Sequence, residues 1–253
     1  VKNQSEWLIG RNPVLEALQS SSSVQKIWVA EGIKKASIQA IISKAKEKNI
    51  VIQYVPRQKI DQLTGQKNHQ GIAASISAYE YAELDTLFER AAQKEQAPFF
   101  LILDGIEDPQ NLGSILRSAD AAGADGVIVP KHGACGLTRT VAKASTGAIE
   151  HVPVVKVTNL SRTMAELKKQ GLWMVGSDAR GQADYRELDG DMPIALVIGS
   201  EGKGMSRLVR ESCDFLFRIP LLGEVSSLNA AVSCSLLMYE VQRKRHPVGD
   251  VSG

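Results

Sequence analysis

Cysteine is scarce in this chain of 253 residues: Cys135, Cys213 and Cys234 are far apart and form no Cys-x-x-Cys pair. An odd, scattered set excludes a disulfide framework and a thiolate zinc site, and suits reduced, mostly buried thiols. Histidine is almost as sparse. His69, His132, His151 and His246 show no ligand spacing, so no metal is expected. No apolar run approaches the roughly 18 residues that cross a bilayer, which argues against a membrane span. The opening stretch, Val1 to Asn12, has no apolar core of the signal-peptide kind, so the expected location is cytoplasmic.

What is present is ordinary globular material, 43% hydrophobic and 23% charged, enough for a packed core. The net charge of +2 is unevenly spread. Residues 1–80 carry 11 Lys/Arg against 6 Asp/Glu, whereas the remainder carries 19 against 22. A basic module joined to a mildly acidic larger one suits a polyanion-docking unit beside a separate chemical site. Solubilising surface lysines would give the same bias.

The patterning divides in the same place. Asn12-Pro13 reads as a cap and first helical residue, opening a helix through Leu18 that the run Ser20–Ser23 ends. Lys26–Val29, Val51–Val55 and Ile72–Ser77 read as strands, with helices over Ala36–Lys48 and Pro56–Leu63. This is a small α/β module over 1–80, followed by a charged linker with some helix at 81–97. From 98 to 253 continuous apolar runs alternate with helices: Phe99–Leu103, Gly126–Val129, Val154–Val157, Trp173–Val175, Ile194–Ile198 and Phe215–Ile219. Such runs belong to parallel strands covered on both faces, so a doubly wound domain of five or six mainly parallel strands is expected. The tail Pro247–Gly253 is expected to fray.

Ligands of open parallel sheets bind beyond the carboxyl ends of the strands. Three loops there are rich in glycine and small polar residues and lead into helices: Asp104–Gly113, Ile198–Gly204 and Ile219–Asn229. Glycine allows close backbone approach, and helix starts offer unpaired N–H groups. Two nucleotide signatures fail on spacing. Gly199-Ser-Glu-Gly-Lys-Gly lacks the separation of a phosphate loop, and Lys203 precedes glycine rather than Ser/Thr. No G-x-G-x-x-G follows the first strand of the larger half, which discounts a dinucleotide and the commoner Rossmann-like methyltransferases.

In order and separation, Asp-Pro-Gln-Asn-Leu-Gly with Arg117, Gly-Ser-Glu-Gly-Lys-Gly-Met, and Ile-Pro with Ser-Ser-Leu-Asn resemble the three motifs of the SpoU (TrmH-like) branch of the SPOUT methyltransferases. The amino-terminal module, ending in Asn68-His-Gln-Gly71, is similar to the L30-like RNA-binding domain of the RlmB subgroup, which methylates a guanosine of 23S ribosomal RNA. The resemblance covers essentially the whole chain. It implies a parallel-sheet domain with a carboxyl-terminal trefoil knot, S-adenosylmethionine as cofactor, RNA as partner, a homodimer through the knotted domain, and ribose 2′-O-methylation. A tRNA substrate within the same branch and a non-catalytic RNA-binding assembly factor are the competing readings.

The same resemblance assigns residues. Arg117 matches the essential arginine; its ordinary alternative is a salt bridge to Asp120. A guanidinium is a poor base, so Arg117 is either deprotonated by its surroundings or stays charged and stabilises the developing alkoxide; the second reading is preferred, with an RNA phosphate or water taking the proton. Asn111 holds the loop or the target nucleotide, or caps the helix at Leu112. Glu201 sits between glycines as an acceptor, or is a plain turn residue. Ser227 and Asn229 orient Arg117 or the ribose, or cap the last helix. Gly199, Ile219 and Leu228 correspond to cofactor-holding positions. In the small module Lys34, Lys35, Lys44, Lys46 and Lys48 are candidate phosphate contacts or a solvated face, and His69 and Gln70 touch RNA or start a strand.

Overall fold

The computed structural model describes residues 6–19, 24–65, 69–76 and 79–248; the serine run at 20–23, Asn68 and the end of the tail lie outside it. The chain divides into two compact units, one of residues 1–80 with Gly136–Thr140, the other of Tyr81–Cys135 with Val141–Gly253.

The first unit contains β1 (Glu6–Ile9), α1 (Arg11–Gln19), β2 (Val24–Ala30), α2 (Gln39–Glu47), β3 (Val51–Val55), α3 (Arg57–Thr64) and β4 (Ile72–Ile76). The sheet order is β1-β4-β2-β3, with only β2 and β3 parallel. Val14, Leu18, Ile41 and Ala45 of α1 and α2 close one face over Ile27, Val29, Ile72 and Ala74. Ile60 of α3 packs on Ala30, Val55 and Ala73 at the other. Two expectations need correction. Strand β1 was not anticipated, because four residues are too few to show alternation. Helix α1 starts at Arg11, directly after Gly10 at φ +99°, so Asn12 lies inside it and is no cap.

His69 is fully buried. Its Nδ1 accepts the Gly71 N–H at 2.9 Å, so Nε2 holds the proton and donates to Asp61 Oδ1 at 3.2 Å. The ring therefore pins the turn into β4 and is not available to RNA; Gln70 beside it is exposed.

The second unit contains α4 (Leu84–Gln93), β5 (Phe99–Asp104), α5 (Pro109–Ala121), β6 (Gly126–Pro130), α6 (Arg139–Ser145), β7 (Val154–Val157), α7 (Leu160–Lys169), β8 (Trp173–Ser177), β9 (Ala183–Asp184), β10 (Ile194–Gly199), α8 (Arg207–Glu211), β11 (Phe215–Arg218) and α9 (Ala230–Arg245). The strands form one sheet in the order β7-β6-β5-β10-β8-β11-β9. Every pairing in it is parallel. The six apolar runs are all strands; the seventh, β9, is two residues long and invisible to periodicity. Phe100, Ile102, Ala195, Val197 and Met174 lie on one face under Leu87, Leu160, Met164 and Leu167.

Residues 81–97, expected as linker, instead cap this core. Leu87 and Ala91 of α4 are buried, Ala82 donates its N–H to Val154, and Lys94 pairs with Asp125 at 2.6 Å. The charged residues that suggested a connector occupy the outer face of an amphipathic helix. Burial pushes all three thiols up to about 12, so none is a nucleophile at neutral pH. Among the described residues no helix is long and apolar enough to cross a membrane, and no cluster of side chains could hold a metal ion.

Candidate active site

The three singled-out loops follow β5, β10 and β11, whose carboxyl ends share one edge of the sheet. Asp104, the last residue of β5, accepts the Ser206 N–H at 2.6 Å and ties the first loop to the second. The second loop closes on itself through Gly204 N–H to Ser200 O at 2.8 Å and Ser200 N–H to Gly204 O at 3.1 Å. This closure requires glycine at 199: a Cβ there would stand 2.1 Å from the Gly204 carbonyl carbon and the Met205 nitrogen.

Asn229 joins all three motifs. Its Oδ1 caps α9 by accepting the N–H groups of Ala231 at 2.9 Å and Val232 at 3.3 Å. Only oxygen can accept, so the amide orientation is fixed and Nδ2 must point the other way. That nitrogen donates to Asn111 Oδ1 at 2.8 Å and to Glu201 Oε2 at 3.2 Å. Both of its protons are thereby used. Asn229 is a cap and a positioning residue together, so the two roles weighed for it coincide. Asn111 is not a cap: Asp108 caps α5, accepting the Gln110 N–H at 2.8 Å, with Pro109 at the first helical position. Because its carbonyl is occupied by Asn229, Asn111 presents an N–H donor to a ligand, whereas Glu201 keeps Oε1 as an acceptor.

A cleft of about 390 Å³ opens beside this constellation, lined by Gly199, Ile219, Ser227 and Leu228 among others. The structure thus brings together all three expected cofactor positions. A second cleft of about 410 Å³ is lined by Asp104, Glu107, Asp108, Asn111 and His132, and shares Ser200 and Glu201 with the first. Asp178, which the sequence reading did not single out, also lines the first cleft. Its carboxylate accepts from the Arg180 N–H and from Arg210 Nε, each at 2.7 Å. Burial alone would raise Asp178, but these donors outweigh it and hold the carboxyl below the usual range. The signal was available: Asp178 also follows the carboxyl end of a strand, β8.

Arg117 lies elsewhere. It is exposed on α5, lines neither cleft, and makes no ion pair among the described residues, so the alternative bridge to Asp120 does not form. Nearby on the same helix, Ser114 borders a groove with Val232, Leu236 and Tyr239 of α9. Those three apolar side chains are exposed while Cys234, Leu237, Met238 and Val241 on the opposite face are buried.

The model of the SpoU rRNA methylase family matches residues 98–239. The chain belongs to this family. Membership makes it an S-adenosylmethionine-dependent RNA methyltransferase. Residues 7–82 match a second model, described as RNA 2′-O ribose methyltransferase substrate binding. YacO of Bacillus subtilis, named as a TrmH family tRNA/rRNA methyltransferase, is 58% identical over 99% of this chain and 100% of its own. A similarly named protein of Staphylococcus haemolyticus is 55% identical over 96% and 97%. Among solved structures, the SpoU methyltransferase AviRb from Streptomyces viridochromogenes, in complex with AdoMet, is 26% identical with a TM-score of 0.60, over 94% of this chain and 90% of that one. The crystal structure of an RNA 2′-O ribose methyltransferase gives 27%, a TM-score of 0.55, and coverage of 94% and 88%.

The cradle at Gly199 yields a direct expectation for this SpoU chain. Gly199→Ala should abolish the heat of S-adenosylmethionine binding in calorimetry, because the Cβ collides with backbone that cannot swing aside. Unchanged affinity would separate the first cleft from the cofactor.

Proposed function

We propose that this protein methylates a ribose 2′-hydroxyl of RNA, with a guanosine of 23S ribosomal RNA as target, as in the RlmB subgroup. The observation that carries the proposal is the Asn111–Asn229–Glu201 constellation, in which Asn229 joins Asn111 of the second cleft to Glu201, which lines both clefts. One cleft has the glycine cradle and apolar residues suited to the cofactor, and the other stands open for a nucleotide. The match of residues 7–82 to a substrate-binding model supports assigning residues 1–80 to RNA docking and 98–253 to catalysis.

Bound S-adenosylmethionine supplies a methyl group on a cationic sulfur. The chain has to position the sugar and ease loss of its proton. Asn111 donates to the nucleotide and Glu201 accepts from it, each held by Asn229; Ser227, exposed at the cofactor cleft, orients the ribose. Arg117 stays charged and stabilises the developing alkoxide, while an RNA phosphate or water takes the proton. Its absence from both clefts of its own chain is accounted for by a homodimer. The α9 groove lies close to the cofactor cleft, since an adjoining hollow shares Leu236 with the groove and Ile219, Leu221 and Leu228 with the cleft. A second copy seated there brings Arg117 of one chain to the cleft of the other. The trefoil knot belongs to the same reading, with Arg245 of α9 held by the carbonyls of Ala97, Gly190 and Met192.

The test is tritium transfer from labelled S-adenosylmethionine to unmodified 23S ribosomal RNA and tRNA transcripts, followed by mass-spectrometric mapping of the product. The expected product is 2′-O-methylguanosine in 23S RNA. A methylated base, or no transfer by well-folded protein, overturns the proposal. Methylation of tRNA alone establishes the competing substrate, which the names of the relatives keep in view.

A further inference from the structure

Of the carboxylates that line the nucleotide cleft, Asp104, Asp108 and Glu201 are already engaged. Asp104 accepts the Ser206 N–H at 2.6 Å, Asp108 the Gln110 N–H at 2.8 Å, and Glu201 the Asn229 amide at 3.2 Å. Glu107 differs. It is exposed, and among the described residues it makes no hydrogen bond or ion pair, although Lys203 and His132 line the same cleft. Its backbone is nevertheless held on both sides. The carbonyl of buried Ile106 accepts the Cys135 N–H at 2.9 Å, and Asp108 caps α5. Glu107 Oε1 lies 3.9 Å from where a Cβ at Gly133 would stand, so the carboxylate faces the loop after β6, where His132 also stands. A bare carboxylate in a cleft that receives a polyanion costs affinity unless the ligand brings it a donor.

A carboxylate only accepts, so its partner has to offer donors. The Watson–Crick edge of guanine carries two side by side, N1–H and the N2 amino group, which match the two carboxylate oxygens. Adenine and cytosine set their amino group beside an acceptor nitrogen, and uracil places its N3–H between two carbonyl oxygens. Each of these would turn a lone pair toward the carboxylate. We infer that Glu107 selects the base of the target nucleotide, its two oxygens accepting from guanine N1–H and N2–H. Unstacked bases of single-stranded RNA are read on their edges in this way. The inference rests on the guanosine reading proposed above and gives that reading its source of base selectivity. Repulsion between Glu107 and the RNA backbone falls on every sequence alike, whereas the pair of hydrogen bonds is gained only with guanine. The same carboxylate therefore rejects the other bases and rewards one.

The experiment uses the full-length chain, S-adenosylmethionine, and 23S ribosomal RNA ligated so that the methylated nucleotide is either guanosine or inosine, which lacks the N2 amino group. Wild type is expected to lose about tenfold or more in kcat/KM on inosine, the scale of one specific base contact. Glu107→Ala should lose about the same factor on guanosine and then treat the two RNAs nearly alike. Glu107→Gln should lose selectivity as well, because its amide N–H groups oppose a donor of guanine. Affinity for S-adenosylmethionine and melting temperature should stay close to wild type in both variants, since Glu107 is exposed. Equal methylation of both RNAs by wild type, or a Glu107→Ala variant that keeps the full inosine penalty, overturns the inference and leaves the guanosine reading standing. A Glu107→Ala variant faster than wild type on guanosine also overturns it, because the carboxylate would then only repel the backbone. If mapping finds the methyl group on another nucleoside, the guanosine reading falls and the selectivity assigned to Glu107 falls with it.

Discussion

Replacing Arg117 with alanine is expected to lower kcat by about 10²- to 10³-fold, the loss typical of removing one donor to a developing oxyanion. S-adenosylmethionine affinity should change little, because Arg117 is assigned to the developing alkoxide and not to the cofactor. Arg117→Lys keeps the charge but loses the planar fork of donors, so it should recover little activity and keep the wild-type pH–rate profile. A lysine variant that is substantially active with a new, lower pKa would show that this position is the base. The proposed homodimer adds a second check. Arg117→Ala and Asn229→Asp chains lack different parts of the site. If each site takes Arg117 from the other chain, half of the randomly mixed dimers are mixed, and each of these contains one intact site. Mixing them in equal amounts should therefore restore up to about one quarter of wild-type activity by the symmetry of a two-fold dimer. No gain on mixing would place Arg117 and Asn229 in the same chain's site or outside the reaction.

Asn229→Asp should be nearly as damaging to turnover while leaving the fold in place. Aspartate still caps α9 through one oxygen, so the melting temperature should fall little. Its second oxygen takes the place of Nδ2, which now stands 2.8 Å from Asn111 Oδ1 and 3.2 Å from Glu201 Oε2. An attractive pair of contacts becomes a repulsive one, with two carboxylates side by side. A loss of about 10²-fold in kcat corresponds to about 2.7 kcal/mol, within what a misplaced site costs. Like charges raise the pKa of one carboxyl of the pair, so activity of this variant should recover as pH falls toward that raised value. Asn229→Ala reverses the pattern of stability: loss of the cap costs about 0.5–2 kcal/mol, seen in a lower melting temperature. Wild-type kcat in Asn229→Asp would remove the positioning role.

Much of the fold was legible because each element declares its own burial. The apolar runs from Phe99 to Ile219 read as strands covered on both faces; all of them are strands, although β11, with Phe215 exposed, is covered only in part. What failed was short or two-faced. Strands β1 and β9 hold too few residues to show a period, and α4 hid its buried Leu87 among charges. Asp108-Pro109 is an ordinary cap followed by proline, yet attention to Asn111 moved the expected start of α5 by three residues. His69 read equally well as a contact or a strand start because sequence does not report that a ring is enclosed.

The order of apolar runs indicated, without any coordinates, a parallel α/β domain, and the resemblance of three loop motifs indicated its family. Which side chains of those loops meet was decided only by the tertiary structure. Asn229 reaches Asn111 across 118 positions and Glu201 across 28, because the strands β5 and β10 are neighbours and α9 starts where their loops converge. Local periodicity encodes how each segment buries itself. Strand order, and with it the direction in which an amide or a guanidinium points, follows from the packing of all segments together.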